Sequence, residues 1–195
     1  MRATQARQRE VVVDRDLVKL ARTGDRDAFA VLVHQVSDPL YAVAFRILRD
    51  AALAEDALQD ALITTWRQLP RLRDTDRFDA WIRRILVHAC YAEAGRRRRW
   101  STAVRVLPVN DPTTPDGSQW VADRDQLERG FVRLPVEQRA IVVLHHYLGL
   151  PLVEIAETLG IPAGTARSRL HYATRALRTA MEADTAYPAE GARPA

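Results

Sequence analysis

Residues 151–178 read PLVEIAETLGIPAGTARSRLHYATRALR, and this stretch decides the fold of the C-terminal part of the chain. Apolar residues recur at helical spacing from Leu152 to Leu159 and again from Ala166 to Leu177, so each half predicts an amphipathic helix. Gly160 between them supplies the backbone freedom of a tight turn, and Pro162 suits the start of the second helix. Together these features predict a helix-turn-helix.

The outer face of the second helix carries basic and hydroxyl side chains. Arginine forks match guanine edges in the major groove, and hydroxyls reach bases or phosphates near a helix N-terminus. A solvated helix with charges paired at i,i+4 is the alternative, but no acid partners these arginines within the helix until Glu182. We therefore predict DNA contacts from Thr165, Arg167, Ser168, Arg169, His171, Tyr172 and Arg175.

Composition limits the class of protein. The 195 residues carry a net charge of +4, with 47% hydrophobic and 28% charged residues, which is typical of a soluble globular protein. No apolar stretch approaches the roughly 20 residues that span a bilayer, and residues 1–10 lack the apolar core of a signal peptide. The single Cys90 forms no internal disulfide and offers no metal-ligand spacing. We expect a cytoplasmic protein without membrane insertion, metal or cofactor.

Helical periodicity runs through most of the N-terminal half, and strand signals are nearly absent. The first three helices are expected to begin at aspartate caps, namely Asp14 or Asp16, Asp25 and Asp50. Pro39 is expected to kink or break the second helix. A fourth helix is predicted from Phe78 to about Arg99. Its inward face is predicted to hold Trp81, Ile82, Ile85, Ala89 and Ala92.

Composition changes between residues 100 and 122, where prolines, a glycine and short polar residues accumulate. A stretch of that length and composition is typical of a linker rather than of a loop inside a compact domain. The chain is therefore expected to form two all-helical domains, 14–99 and 123–184. Helices of the second domain are predicted at about 123–132, 136–147, 151–159 and 163–182, with a disordered tail from residue 185.

Two groups of motifs resemble a known family. In the C-terminal half, Leu134-Pro135-Val136-Glu137-Gln138-Arg139, Glu154-Ile155-Ala156 and Gly164-Thr165-Ala166-Arg167-Ser168-Arg169-Leu170 look like domain four of sigma factors. In the N-terminal half, Ala54-Glu55-Asp56-Ala57-Leu58-Gln59-Asp60 and Phe78-Asp79-Ala80-Trp81-Ile82-Arg83-Arg84-Ile85 resemble sigma domain two. With only a linker between the two domains, this layout is similar to that of the extracytoplasmic-function (ECF) sigma factors.

The resemblance covers roughly residues 14–99 and 124–180, and it implies a function. It implies a non-catalytic factor that binds core RNA polymerase at the β′ clamp helices and the β flap. Such a factor recognises the −10 and −35 elements of promoter DNA and directs transcription initiation. The resemblance also implies an anti-sigma partner and association with the nucleoid when the factor is active. The sequence names neither that partner nor the promoter.

The helix that follows Asp50 is the expected polymerase-binding element. Its candidate residues lie near one another at helical spacing: Asp56, Gln59, Asp60 and Ile63. Spacing alone favours an ordinary acidic surface helix. The resemblance favours docking of this face on the β′ clamp helices.

The fourth helix and the loop 70–77 are, by resemblance, the elements that bind the −10 element and hold a flipped base. The candidate residues are Arg84, His88, Tyr91, Arg96, Arg97, Arg98 and Arg99. Four consecutive arginines point all round a helix, so we expect them to meet phosphates and not to form a salt-bridged face. A solvated basic helix end is the alternative. This chain departs from the family at two positions of this helix, because the family often has Asn where His88 stands and Asp where Ala92 stands. Trp66 and Trp81 are expected to lie in the core.

Two other classes of function are open to such a chain. A DNA-binding regulator that acts without polymerase would use the first domain as a sensor or dimerisation unit, but residues 54–85 match a polymerase-binding domain. An enzyme has little support, because the sequence holds no Gly-rich phosphate loop, metal-ligand cluster or Ser/His/Asp grouping. The adjacent His145 and His146 face different sides of a helix, so we predict partly buried or surface groups.

Overall fold

A computed structural model describes residues 13–103 and 127–185, and every regular element within that part of the chain is helical. The all-α prediction is confirmed. Of the linker predicted over residues 100–122, residues 100–103 end a helix and the others lie outside the described residues. The expected start of the second domain at residue 123 and the tail beyond Thr185 lie outside them as well.

The first three helices begin at aspartate caps, as predicted. Asp14 caps α1 (Arg15–Arg22) by accepting a hydrogen bond from the amide of Asp16. Asp25 caps α2 (Arg26–Leu48), and Asp50 caps α3 (Ala51–Gln68) with its Oδ1 atom 3.1 Å from the Leu53 amide. These carboxylates satisfy amides that the first helical turn leaves without a partner, so they fix where each helix starts.

Of the kink or break expected at Pro39, the break is wrong, because α2 runs unbroken through that residue. A proline inside a helix costs about 3 kcal/mol, since it removes one hydrogen bond and crowds the preceding turn. Burial of Leu32, Val36, Leu40 and Val43 on the same helix offsets that cost. The unbroken helix is also long and apolar enough to span a membrane by length and composition, which the short apolar stretches of the sequence did not suggest. Its buried face packs against α1, α3 and α4.

Two 3₁₀ turns, Leu69–Arg71 and Thr75–Arg77, lead into α4 (Phe78–Ala103), which extends past the predicted end near Arg99. The predicted inward position of Ala92 is wrong, because that residue is exposed. The buried face of α4 instead follows Leu86, Cys90 and Glu93, and Ala92 lies to one side of it.

Both tryptophans expected in the core are half-buried and pack on phenylalanine rings. Trp66 lies 4.8 Å from Phe29 and Trp81 lies 6.0 Å from Phe78 between ring centroids. These contacts agree with structural roles for the two indole rings.

The C-terminal helices agree with the predicted ones where they are described: α5 (residues 127–133), α6 (Val136–Val142), α7 (Leu152–Leu159) and α8 (Ala163–Thr185). α6 continues into a π-helical turn, Val143–Tyr147, which the sequence did not predict. In that turn the Leu148 amide donates to the carbonyl of Val143, five residues back, at 3.1 Å.

Buried residues form one continuous core across both groups of helices. It includes Ile47 and Leu86 from the N-terminal helices and Ile141 and Ile155 from the C-terminal ones. α2 and α4 both contact α6, and α4 also contacts α7. The N-terminal and C-terminal helices therefore pack directly against each other.

Candidate nucleic-acid interface

α7 and α8 form the predicted helix-turn-helix. Gly160 ends α7 in the left-handed region, with φ 65° and ψ 36°. The amide of Ile161 then donates to the carbonyl of Ala156 at 3.0 Å, which closes the helix end. Ile155 of α7 and Ala166 of α8 are wholly buried in the core beneath the turn. Local backbone geometry and packing together fix the angle at which α8 leaves α7.

The outer face of α8 presents most of the predicted DNA-contacting side chains to solvent. Exposed among them are Arg167, Ser168, His171, Tyr172 and Arg175, whereas Thr165 and Arg169 are half-buried. The Ser168 hydroxyl donates to the Thr165 carbonyl at 3.1 Å, so it already has a partner within the first turns of α8. Tyr172 is 60% exposed, which is large for an aromatic side chain. An exposed ring among cations can stack on bases and donate a hydrogen bond.

Arg169 and Tyr91 were predicted for different promoter elements, yet the structure brings them together. Tyr91 of α4 is half-buried, and its hydroxyl has no hydrogen-bond partner among the described residues. Burial raises the pKa of Tyr91, the nearby Glu137 carboxylate raises it further, and the Arg169 charge opposes them. The start of α8 and the middle of α4 are therefore neighbours in space.

Arg84 and His88 lie one turn apart on α4, and both are exposed. Partial burial and the Arg84 charge hold the pKa of His88 below its usual value of 6.5, so the imidazole is neutral at pH 7. The Arg84 guanidinium also reaches the helix-turn-helix. A methyl group added to Gly160 would lie 3.4 Å from Arg84 Nη2.

The arginine run at the end of α4 is not wholly unpaired, contrary to expectation. Arg96 bonds to Asp60 Oδ2 at 2.8 Å and to Glu93 of its own helix, and Arg97 pairs with Asp50. All four arginines are nevertheless exposed. The Arg96–Asp60 pair is exposed on both sides, and such pairs are worth only about 0–1 kcal/mol, so a phosphate can replace Asp60 as the partner, whereas Glu93 is buried.

The four candidate polymerase-binding residues of α3 share one exposed face, and Ile63 among them is 42% exposed. The opposite face of α3 is buried and holds Ala54, Ala57, Ala61 and Thr65. Ile63 is a single exposed apolar side chain between acids, which is common on protein surfaces. Asp60 joins this face to α4 through Arg96.

A groove between α4 and α7 is a feature that the sequence did not predict. It has a volume of about 520 Å³ and is lined on one side by Arg73, Arg77, Arg83 and Arg84 together with Asp74, which pairs with Arg77. The other side holds Glu154, Glu157 and Thr158 of α7. No local pattern signals such a contact, because its two sides are some seventy residues apart in the chain.

The adjacent histidines of the π-helical turn differ in exposure. His145 is half-buried with Nδ1 3.1 Å from the Leu150 carbonyl, while His146 is exposed, as predicted. Over residues 13–103 and 127–185, no three His, Cys, Asp or Glu side chains come together to hold a metal ion.

In this chain a helix-turn-helix follows, in sequence, a helical unit with an exposed acidic face. These features define a class of protein, the DNA-binding transcription factors. Comparison with known proteins narrows that class. The chain matches Sigma-70 region 2 over residues 32–101 and Sigma-70 region 4 over residues 124–177. It belongs to the ECF sigma factors, and it is an RNA polymerase sigma factor that directs transcription initiation.

Two relatives from Mycobacterium tuberculosis support the assignment. The ECF RNA polymerase sigma factor SigM is 34% identical over 158 residues, which cover 80% of this chain and 78% of SigM. SigL is 34% identical over 148 residues, which cover 73% of this chain and 82% of SigL. Among solved structures, CnrH in complex with the cytosolic domain of CnrY is similar with a TM-score of 0.60 at 25% identity. That match covers 88% of this chain and 98% of CnrH.

Proposed function

We propose that this sigma factor divides its work between two domains. Residues 14–99 dock on core polymerase and bind the −10 element, residues 123–184 read the −35 element, and residues 100–122 connect them. The two family matches support this division, because one falls on α2–α4 and the other on α5–α8. Neither domain carries out catalysis, and the protein acts in the cytoplasm on the nucleoid.

The exposed outer face of α8 is the observation that carries the −35 assignment. Arg167 and Arg175 are exposed on it without a nearby acid on the same helix. A guanidinium in the major groove can bond to guanine O6 and N7 together, which is worth about 1–3 kcal/mol of discrimination. Thr165 and Ser168 stand at the N-terminal end, where helix amides also attract a phosphate.

The proposed polymerase and −10 surfaces meet at an ion pair between α3 and α4. The α3 face supplies Asp56, Gln59, Asp60 and Ile63 to the β′ clamp helices. α4 supplies Arg84, His88, Tyr91 and the run Arg96–Arg99 to the −10 element. The Asp60–Arg96 pair supports this arrangement, because it places the docking face and the basic helix end in contact.

An anti-sigma protein is the proposed regulator. CnrH was solved with the cytosolic domain of CnrY bound to it. By analogy, a partner that covers the α3 face would keep this chain from polymerase.

In vitro transcription with core polymerase on a genomic promoter library tests the proposal. We expect transcripts that start at a defined set of promoters and require the added protein. The absence of both transcript and holoenzyme at every salt concentration would refute the sigma mechanism for this chain.

Matched variants then test the two surfaces separately. Arg167→Ala should weaken −35 binding by a factor of about ten to one hundred with core binding intact, while exposed Arg133→Ala on α5 should leave −35 binding unchanged. Ile63→Ala should weaken core binding, with Glu55→Gln on the same helix as the control. Equal loss of core binding in Arg167→Ala would show that α8 is wrongly assigned.

A further inference from the structure

Two arginines of α1 contact the loop that leads into α4. Arg15 and Arg22 are seven residues apart, which is about two helical turns, so their side chains leave the same face of the helix. Both are half-buried, and α1 contacts both 3₁₀ turns of the loop. This helix lies before residue 32, where the match to Sigma-70 region 2 begins, and none of the surfaces proposed above includes it.

Each arginine donates a hydrogen bond to the main chain of the loop 70–77. Arg22 Nη1 lies 3.3 Å from the carbonyl oxygen of Leu72, and Arg15 Nη1 lies 3.3 Å from that of Thr75. The two residues between these carbonyls are exposed. Bonds to main-chain atoms fix the path of the backbone whatever side chains the loop carries.

Arg15 joins three elements of the fold. Besides its bond to the loop, its Nη2 atom donates to Asp79 Oδ2 in the first turn of α4 at 2.8 Å. Its Nε atom lies 3.8 Å from Asp76 Oδ1. Different nitrogens of one planar guanidinium make these contacts, so they fix α1, the loop and α4 relative to one another. The single nitrogen of a lysine cannot reproduce this fork.

The loop's own main-chain hydrogen bonds are local. The Leu72 amide donates to the carbonyl of Leu69 at 3.0 Å, and the Arg77 amide donates to that of Asp74 at 3.3 Å. Bonds that span three residues shape each turn, but they do not set where the loop lies relative to α4. The buried side chains of Leu69 and Phe78 anchor its two ends, and the arginines of α1 hold its middle.

The loop also forms part of the arginine-lined groove. Arg73 and Arg77 of the loop line it together with Trp81 and Arg84 of α4. Arg84 is a proposed contact of the −10 element, and both loop arginines are exposed. Side chains from two segments would therefore meet a nucleotide bound there, so the position of the loop relative to α4 decides whether both segments reach it.

We propose that Arg15 and Arg22 are positioning residues for recognition of the −10 element. They hold the loop 70–77 against α4, so that the loop and Arg84 contact the same nucleotide. Neither arginine touches the DNA itself. The proposal rests on the −10 role of residues 14–99, and it adds α1 to the elements that determine which −10 sequence is accepted.

Removing single bases from the −10 element in the holoenzyme tests the proposal. The probe is a fluorescent fork-junction DNA with the −10 strand of a promoter recovered from the library, made abasic at one position at a time. For the wild type, loss of a base held at the groove should weaken binding about tenfold, the order expected for one specific contact. Arg15→Ala/Arg22→Ala should bind the complete probe about tenfold more weakly, and loss of that base should then cost less than twofold.

Lysine variants separate the two arginines while keeping their charge. Arg22 donates one hydrogen bond to the loop, which a lysine ammonium can also donate, so Arg22→Lys should keep the wild-type dependence on that base. Arg15→Lys should lose most of it, because one nitrogen cannot replace the fork. The matched control Arg26→Ala/Arg133→Ala removes two exposed cations from α2 and α5, and it should change probe affinity less than twofold.

Limited proteolysis reports the position of the loop without DNA. Trypsin cleaves after arginine, and Arg71, Arg73 and Arg77 of the loop are exposed. In the free full-length protein, cleavage at these residues should be about tenfold faster in Arg15→Ala/Arg22→Ala than in the wild type, because cleavage tracks the fraction of molecules in which the segment is open. Cleavage elsewhere in the chain, identified by mass spectrometry, should keep its wild-type rate.

Two results would overturn the proposal. One is an Arg15→Ala/Arg22→Ala protein that loses as much affinity as the wild type when the base is removed, and the other is an unchanged rate of cleavage at the loop. Arg15→Lys supplies the same two measurements if the alanine variant does not fold. Failure of the −10 role itself is distinguishable, because the wild type would then show no −10 position at which removal of a base weakens binding.

Discussion

Gly160 and Gly164, which flank the turn of the helix-turn-helix, should respond to alanine with opposite changes in stability. Gly160 has φ 65°, where an L-residue costs about 1–2 kcal/mol. Its new Cβ would meet Arg84 Nη2 at 3.4 Å, the far end of a flexible side chain, so little steric cost is added. Alanine also lowers the conformational entropy of the unfolded chain, which stabilises the folded state by about 0.4–1 kcal/mol. The net loss for Gly160→Ala is about 1 kcal/mol.

Gly164 lies in the first turn of α8, and a Cβ there would meet nothing within 4 Å. Alanine is the better helix former by about 1 kcal/mol, so Gly164→Ala should stabilise the protein by up to that amount. Urea unfolding followed by circular dichroism measures both changes. In thermal unfolding, 1 kcal/mol corresponds to a shift of about 2–4 °C for a chain of this size.

The opposite signs make the comparison decisive, because both variants carry the same chemical change four residues apart. A Gly160→Ala protein that is as stable as the wild type would contradict the left-handed conformation at residue 160. Destabilisation by Gly164→Ala would contradict the open space described around that residue.

Three further predictions concern packing, pH and thiol reactivity. Gly130→Ala should cost about 1–3 kcal/mol, because its Cβ would lie 2.9 Å from that of Ala180, and the added change Ala180→Gly should restore most of the urea midpoint. Asp50→Ala should cost about 1 kcal/mol at pH 7. The Leu53 amide and then Arg97 hold the pKa of Asp50 below its usual 3.8, so the cap stabilises the fold above that pH. The difference between variant and wild type should therefore shrink as pH falls below 3.8, and a constant difference in urea titrations at pH 7 and pH 3 would contradict this. Burial raises the pKa of the Cys90 thiol to about 12, so an aromatic disulfide reagent at pH 8 should label the folded protein at least about 100-fold more slowly than the urea-unfolded one, and equal rates would refute the burial.

Local signals in the sequence were sufficient for most helix starts and for the helix-turn-helix. Asp14, Asp25 and Asp50 each cap a helix through an amide two or three residues away, so the pattern that predicts them is contained within one turn. Gly160 also marks the turn by a local signal, because its left-handed conformation ends α7 at that residue. Pro39 shows the limit of this reasoning, because tertiary burial along α2 outweighs a local helix breaker.

Long-range contacts within the candidate site were not predictable. The partners of Arg96 and Arg97 lie 36 and 47 residues earlier in the chain, at Asp60 and Asp50. The contact of Arg84 with the turn at Gly160 joins residues that no periodicity connects. Helical spacing alone was enough to identify the side chains that face outward on α8. Which of these side chains are half-buried depends on how the N-terminal and C-terminal helices pack, and helical spacing does not show that.

The π-helical turn Val143–Tyr147 sets the angular position of the last residues of the helix that begins at Val136. Each residue of an α-helix advances the side chains by about 100°, so an unbroken α-helix of the same sequence would swing Tyr147 away from Arg46 by about that angle. A chain with one residue fewer between Val142 and Leu148 would form a regular helix and still direct its last ring toward Arg46. Changes in chain length are usually tolerated in loops. Here a helix itself offers a position where one residue can be gained or lost while the two halves of the molecule keep their alignment.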